Sequence, residues 1–122
     1  MTHHLIAGHL SAEMRHCIEN CSDCHDACVE TLAHCLRIGG EHAAPDHVTA
    51  LLDCAQLCDA SRDFMLRASG LHSSVCGVCA DACERCAESC EAIGVDDEVM
   101  RSCVEMCRRC AESCRSMAAV AH

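Results

Sequence analysis

Sixteen of the 122 residues are cysteine, and twelve of these fall into one repeated pattern. CIENCSDCHDAC (residues 17–28), CADACERCAESC (79–90) and CVEMCRRCAESC (103–114) share the spacing C-x3-C-x2-C-x3-C. Thiolates bind soft metal ions, exchange disulfides and act as nucleophiles, so the first question is which periodic structure would gather them. At about 100° per residue, offsets 0, 4, 7 and 11 fall at roughly 0°, 40°, −20° and 20°. All four thiols then lie on one helical stripe. In a strand, offsets 0 and 4 would face one way and 7 and 11 the other. Only the helix gives the spacing a purpose, and its stripe has the a/d rhythm of a bundle interior.

The elements that carry these stripes can be read from the punctuation. The one proline is Pro45, and glycines stand at 39–40, 70 and 94. Cutting there leaves four helical segments, at about 11–37, 46–68, 72–92 and 96–118, with residues 1–10 an uncertain N-terminal segment. Ser11, Asp46 and Asp96 are the expected N-caps, and Ser73 or Ser74 stands near the start of the third helix. Four helices of similar length with short connections predict a single all-α domain over 1–122, an antiparallel up-down-up-down four-helix bundle with a Cys-lined core. The stripes carry Cys17, Cys21, Cys24, Cys28 and Cys35 on the first helix, and Cys54 and Cys58 on the second, which continues as His47, Leu51, Ser61 and Met65. Cys76, Cys79, Cys83, Cys86 and Cys90 lie on the third helix, and Cys103, Cys107, Cys110 and Cys114 on the fourth, flanked by Met100 and Met117. Closing the bundle makes a tube lined with sulfur.

Composition narrows the classes. With no Trp, no Tyr and one Phe, Phe64, the core must be built from Cys, Ala, Leu, Val and Met. The net charge of −10 and the lack of aromatics argue against a nucleic-acid partner. No stretch reaches the roughly 18 apolar residues of a membrane span. The N-terminus MTHHLIAGHLSAEMRHC has no basic, apolar leader pattern, which predicts a cytoplasmic protein with reduced thiols. No Ser-His-Asp set, phosphate loop or carboxylate pair suggests a catalytic residue, so an enzyme is not expected.

Several roles for the thiols can be weighed. As plain filler, Cys buries less apolar area than Leu and would not be chosen sixteen times. Disulfides along one helix would strain it, because neighbours at i+3 and i+4 are about 5–6 Å apart at Cβ where a bridge wants about 3.8 Å. Zinc half-sites usually sit on tight turns, and a four-thiolate zinc site carries net −2, costly to bury repeatedly. The C-x2-C-x2-C run of iron–sulfur ferredoxins is absent. Cu(I) fits best. Thiolates and thioethers select it, one Cu(I) per thiolate is electrically neutral, and capacity would be on the order of one ion per Cys. Two alternatives stay open: a thiol-redox buffering protein, and metallothionein-like sequestration of zinc or cadmium. Mid-helix cysteines disfavour the first.

On these stripes, the helix count and the scarcity of aromatics, the sequence resembles the bacterial copper storage proteins, and within them the cytosolic branch. The resemblance covers essentially the whole chain. It implies a Cys-rich four-helix bundle, storage of many Cu(I) ions, all sixteen inward cysteines as ligands, and a homotetramer. The partners expected are copper ions and, for delivery, a copper chaperone or a small-molecule Cu(I) ligand. The second helix, with only Cys54 and Cys58, departs from the thiol-rich pattern of the other three.

The antiparallel arrangement also groups residues at the two ends. One end gathers Leu10, Met14, Met65, His72 and Met117; the other gathers Cys35, His47, Cys90 and Met100. Met and His hold Cu(I) less tightly than thiolate, so Met14, Met65, His72, Met117, His47 and Met100 are candidates for passing ions in and out. His16, His25 and His34 flank the first stripe and are expected at the surface. His3, His4 and His9 fall in the N-terminal segment.

Overall fold

The computed structural model describes residues 10–119; His3, His4 and His9 lie outside the described residues. Four helices account for nearly all of it: α1 (Ala12–Ile38), α2 (Pro45–Leu66), α3 (His72–Ile93) and α4 (Glu98–Ala118), with a 3-10 turn at Gly40–Ala43 between the first two. Each helix packs on the next, and α4 closes back on α1, giving the antiparallel four-helix bundle. No described helix is long and apolar enough to cross a membrane.

Local chemistry sets the helix ends. Ser11 caps α1, its Oγ accepting from the Met14 N–H at 3.0 Å. Gly39 ends that helix at φ +77°, a left-handed conformation suited to glycine, and its N–H returns to the Cys35 carbonyl. The expected caps of α2 and α4 are corrected. Ala44 precedes α2, and Pro45 takes the first helical position, where its missing N–H costs nothing; Asp46 lies in the first turn. Leu71 precedes α3, with no side-chain cap. Asp97, one residue beyond Asp96, caps α4 through Oδ1, which accepts from the Met100 N–H at 3.1 Å. α2 also stops at Leu66, and Ala68 follows at φ +53°.

The core is built from small and sulfur-bearing side chains. All sixteen cysteines are free and buried. Leu51, Met65, Met100 and Met117 are the larger buried apolar side chains along the inward stripes. Ala80, Ala82 and Ala87 on α3 and Ala111 on α4 are buried, Ala82 on the side of α3 that faces α2. Their lack of bulk lets the backbones approach closely. Phe64 stays outside this core, under the guanidinium of Arg67 at 4.2 Å from its ring centroid. Arg115 reaches from α4 to Asp81 and Glu84 on α3, a surface link of small energetic weight.

Candidate metal centre

The four stripes meet along the axis of the bundle. Starting from the Met14 end, Cys17 and Cys21 on α1 lie 3.7 Å from Cys114 on α4. Next, Cys110 stands 3.8 Å from Cys21 and 3.9 Å from Cys58. Cys79 approaches Cys58 at 3.8 Å, and Cys83 approaches Cys54 at 3.6 Å. Cys24 sits 3.8 Å from Cys54 and 3.9 Å from Cys107. Farther along, Cys28 reaches Cys107 at 3.9 Å and Cys86 at 4.0 Å. The helical stripe therefore produces contacts mainly across helices. None is near the 2.05 Å of a disulfide. These separations of 3.6–4.0 Å are those of two metal–sulfur bonds of about 2.3 Å meeting at one ion at roughly tetrahedral to trigonal angles.

Among the described residues, five sets of four buried thiols have all their sulfurs within 4.8 Å of one another. They are Cys21/Cys79/Cys110/Cys114, Cys58/Cys79/Cys83/Cys110, Cys24/Cys54/Cys58/Cys83, Cys24/Cys28/Cys54/Cys107 and Cys28/Cys86/Cys103/Cys107. Successive sets share members, so the arrangement is a ladder of overlapping sites. Cys54 and Cys58, the only thiols of α2, belong to three of the five sets. The thiol-poor helix thus completes the middle of the ladder. Cys17, Cys35, Cys76 and Cys90 stand outside the sets, toward the ends of the tube.

The thiols share protons as well as space. Cys54 and Cys103 are pulled below the ordinary thiol range chiefly by their hydrogen bonds with Cys107, and Cys107 is driven up chiefly by its hydrogen bond with Cys103. Cys110 and Cys114 divide in the same way, Cys110 going down and Cys114 going up. A metal ion arriving in this network displaces protons that the sulfurs hold among themselves.

At the Cys35 end the chemistry changes. Cys35 Sγ lies 3.4 Å from His47 Nε2 and 3.5 Å from Met100 Sδ. All three are buried. His47 Nδ1 is fixed by Ser89 Oγ at 2.6 Å, which orients the ring with Nε2 toward the sulfur. Burial pushes the His47 pKa down, with His42 adding to it, which favours the neutral ring that can ligate. Burial pushes the Cys35 thiol up to about 11, helped by Asp97 and the thiols Cys103 and Cys86. Between this group and the ladder stand Thr31 on α1 and Leu51 on α2, both buried, where a continuous stripe would have placed sulfur.

This ladder of soft ligands has a counterpart among known proteins: the family model for copper storage proteins (Csp) matches residues 10–119. The chain belongs to the copper storage protein family. Two solved copper storage proteins share its fold. Cu(I)-bound BsCsp3 is 34% identical, with a TM-score of 0.81 over 88% of this chain and 99% of that one. A cytosolic copper storage protein of Streptomyces lividans, solved with five coppers, is 28% identical, with a TM-score of 0.78 over 90% of this chain and 95% of that one. The S. lividans protein has also been solved loaded with 10 copper equivalents. The uncharacterized cysteine-rich protein YhjQ of Bacillus subtilis (strain 168) is 35% identical over 67 residues, 55% of this chain. The match covers 62% of that relative's length.

At the opposite end of this copper storage protein, Met65 and Met117 are buried in the core and Met14 packs against it, while His72 is half-buried at the start of α3. His16 is exposed and His25 half-buried. His34 differs from its expected surface role: its Nε2 pairs with Asp97 Oδ2 at 2.8 Å, and the ring is largely covered. Sequence reasoning missed Ser89 and Thr31. Thr31 had a signal, since it sits three residues beyond Cys28 on the inward stripe. Ser89 had none.

Proposed function

We propose that this chain stores Cu(I), binding many ions through the thiolates of Cys17, Cys21, Cys24, Cys28, Cys35, Cys54, Cys58, Cys76, Cys79, Cys83, Cys86, Cys90, Cys103, Cys107, Cys110 and Cys114. The observation that carries this reading is the overlap of the five four-thiol sets. Isolated four-coordinate zinc sites would each need thiols of their own, and a transfer protein needs one exposed pair. A shared, buried ladder suits ions that bridge between sulfurs. One Cu(I) per thiolate leaves the tube neutral, so it fills without accumulating buried charge. The copper-bound relatives and the family match support the same reading.

Copper is cargo in this reading, and the protein is not an enzyme. Its working place is the cytoplasm, where thiols stay reduced. Copper reaches it from a copper chaperone or a small-molecule Cu(I) ligand, and the assembled form is a homotetramer, as the family resemblance implies. Ions pass through the tube ends. His47 and Met100 beside Cys35 form one port, and Met14, Met65, Met117 and His72 surround the other. Their weaker grip on Cu(I) lets an ion move on to the thiolates.

The deciding measurement is an oxygen-free titration of the fully reduced protein with Cu(I) against a chelator of known affinity. About one tightly held ion per Cys is expected. A count near four, or displacement of copper by Zn(II), would replace this reading with zinc sequestration or redox buffering.

A further inference from the structure

Outside the tube, three side chains from three elements converge on one point. Asp97 caps α4 with Oδ1 and leaves Oδ2 free of that duty. His34, from the last turns of α1, places Nε2 2.8 Å from Asp97 Oδ2. His42, from the 3-10 turn, aims Nε2 at the same oxygen from 3.6 Å, beyond hydrogen-bond reach. That Nε2 is shielded from solvent and has no hydrogen-bond partner. The two rings meet edge-on, with centroids 6.3 Å apart. A capping carboxylate with one histidine partner would account for His34. It leaves the buried Nε2 of His42 facing the same carboxylate with no hydrogen bond to it, and an unsatisfied buried polar atom costs about 1–3 kcal/mol.

We propose that His34, His42 and Asp97 form an exterior site for one borderline divalent ion of the Zn(II) class. Two imidazoles and a carboxylate are the ligands such ions prefer, whereas Cu(I) prefers the thiolates inside. The side chains of the three residues remain 18–25% exposed, which leaves a side open for a water as the fourth ligand. The three ligand atoms do not all lie within 4.8 Å of one another, so a ring must swing for both nitrogens to meet one ion. The surroundings favour a cation: Glu41 beside His42 and Asp96 and Glu98 beside Asp97 are exposed, and the chain carries −10. A bound ion would tie the end of α1, the 3-10 turn and the start of α4 together at the Cys35 end of the tube. The site does not depend on the storage reading, because none of its ligands is a thiol.

The test is 113Cd NMR on the reduced full chain, with Cd(II) as the probe. Thiolate-bound and nitrogen/oxygen-bound cadmium resonate in well-separated regions, so the interior and this site report independently. One nitrogen/oxygen-type resonance per chain is expected. It should vanish in His34→Ala and in His42→Ala and persist in His16→Ala, an exposed histidine elsewhere on α1. His42→Gln, checked for unchanged helicity, guards against a folding artefact and should also lose the signal. Absence of the resonance in the parent protein overturns the proposal. So does its survival in both His34→Ala and His42→Ala, which would place the ion on histidines elsewhere in the chain. A tube that takes up no Cu(I) would overturn the storage reading and leave this result standing.

Discussion

Midway along the tube all four helices contribute sulfur, and each thiol there belongs to more than one possible site. At the Cys35 end α1, α2 and α4 place one thiol, one imidazole and one thioether together, with the imidazole and the thioether each against Cys35, and Thr31 and Leu51 fill the next inward positions of α1 and α2. The middle is redundant and uniform, and the end is singular and mixed. Redundancy suits holding, since an ion can share several thiolates and neighbouring ions can share one. A mixed group suits passing, since its neutral ligands bind Cu(I) less tightly than thiolates do. Identical helical periodicity thus yields two different chemistries, decided by which residue fills a few inward positions.

The comparison is broken most severely by removing the α2 thiols. Cys54 and Cys58 take part in three of the five four-thiol sets. The double variant Cys54→Ala/Cys58→Ala should therefore lose at least two of about sixteen Cu(I) ions and hold its neighbours more weakly. Its metal-free form should stay helical by far-UV circular dichroism, since alanine favours helix. A control pair from outside the sets, Cys17→Ala/Cys90→Ala, should lose about two ions with little change in the affinity of the rest. Equal effects on affinity from both pairs would mean the middle is no more cooperative than the ends.

A second, intermediate effect concerns protons. Burial raises the folded-state pKa of Cys35 from 9.0 to about 11. A group raised on folding holds its proton more tightly in the folded state, so its contribution to stability is complete below the unfolded value and fades as pH climbs. Metal-free protein should accordingly lose stability to denaturant between about pH 9 and pH 11. Cys35→Ala should remove part of that slope. The copper-loaded protein should lack it, because its thiolates carry ions in place of protons. A slope that persists in the loaded protein would assign it to groups other than the thiols.

The middle of the molecule was legible in the sequence and the ends only in part. C-x3-C-x2-C-x3-C admits only one periodic reading, so the helices, the inward stripes and the sulfur-lined tube followed from angles alone. Helix starts were harder, since Asp46 and Asp96 are good cap residues beside the positions that the backbone uses, and a shift of one residue leaves no mark in composition. The Cys35 group was half visible. The stripe brings Cys35, His47 and Met100 to one end, yet the hydrogen bond from Ser89 depends on how α2 meets α3, which no single-helix pattern encodes. His34 and Asp97 lie 63 positions apart and were invisible as a pair.

The smallest effect tests the end directly, and it turns on a glycine. A Cβ at Gly94 would stand 2.5 Å from Met100 Cγ and 2.8 Å from its Cβ, so the loop can press on Met100 only because residue 94 has no side chain. Gly94→Ala must move Met100 and with it the thioether that lies 3.5 Å from Cys35. It should cost about 1–3 kcal/mol of stability through overpacking. Met100→Leu keeps a side chain of similar size and removes only the sulfur, so it should cost less than about 1.5 kcal/mol. If Met100 serves as a port ligand, both variants should slow Cu(I) uptake from a chelator several-fold in stopped-flow loading, with capacity within about one ion of the parent. Met65→Leu at the far end should leave the rate unchanged when ions enter by Cys35. A slow Met65→Leu beside a normal Met100→Leu would move the port to the methionine end and make the Cys35 group a closed terminus of the ladder.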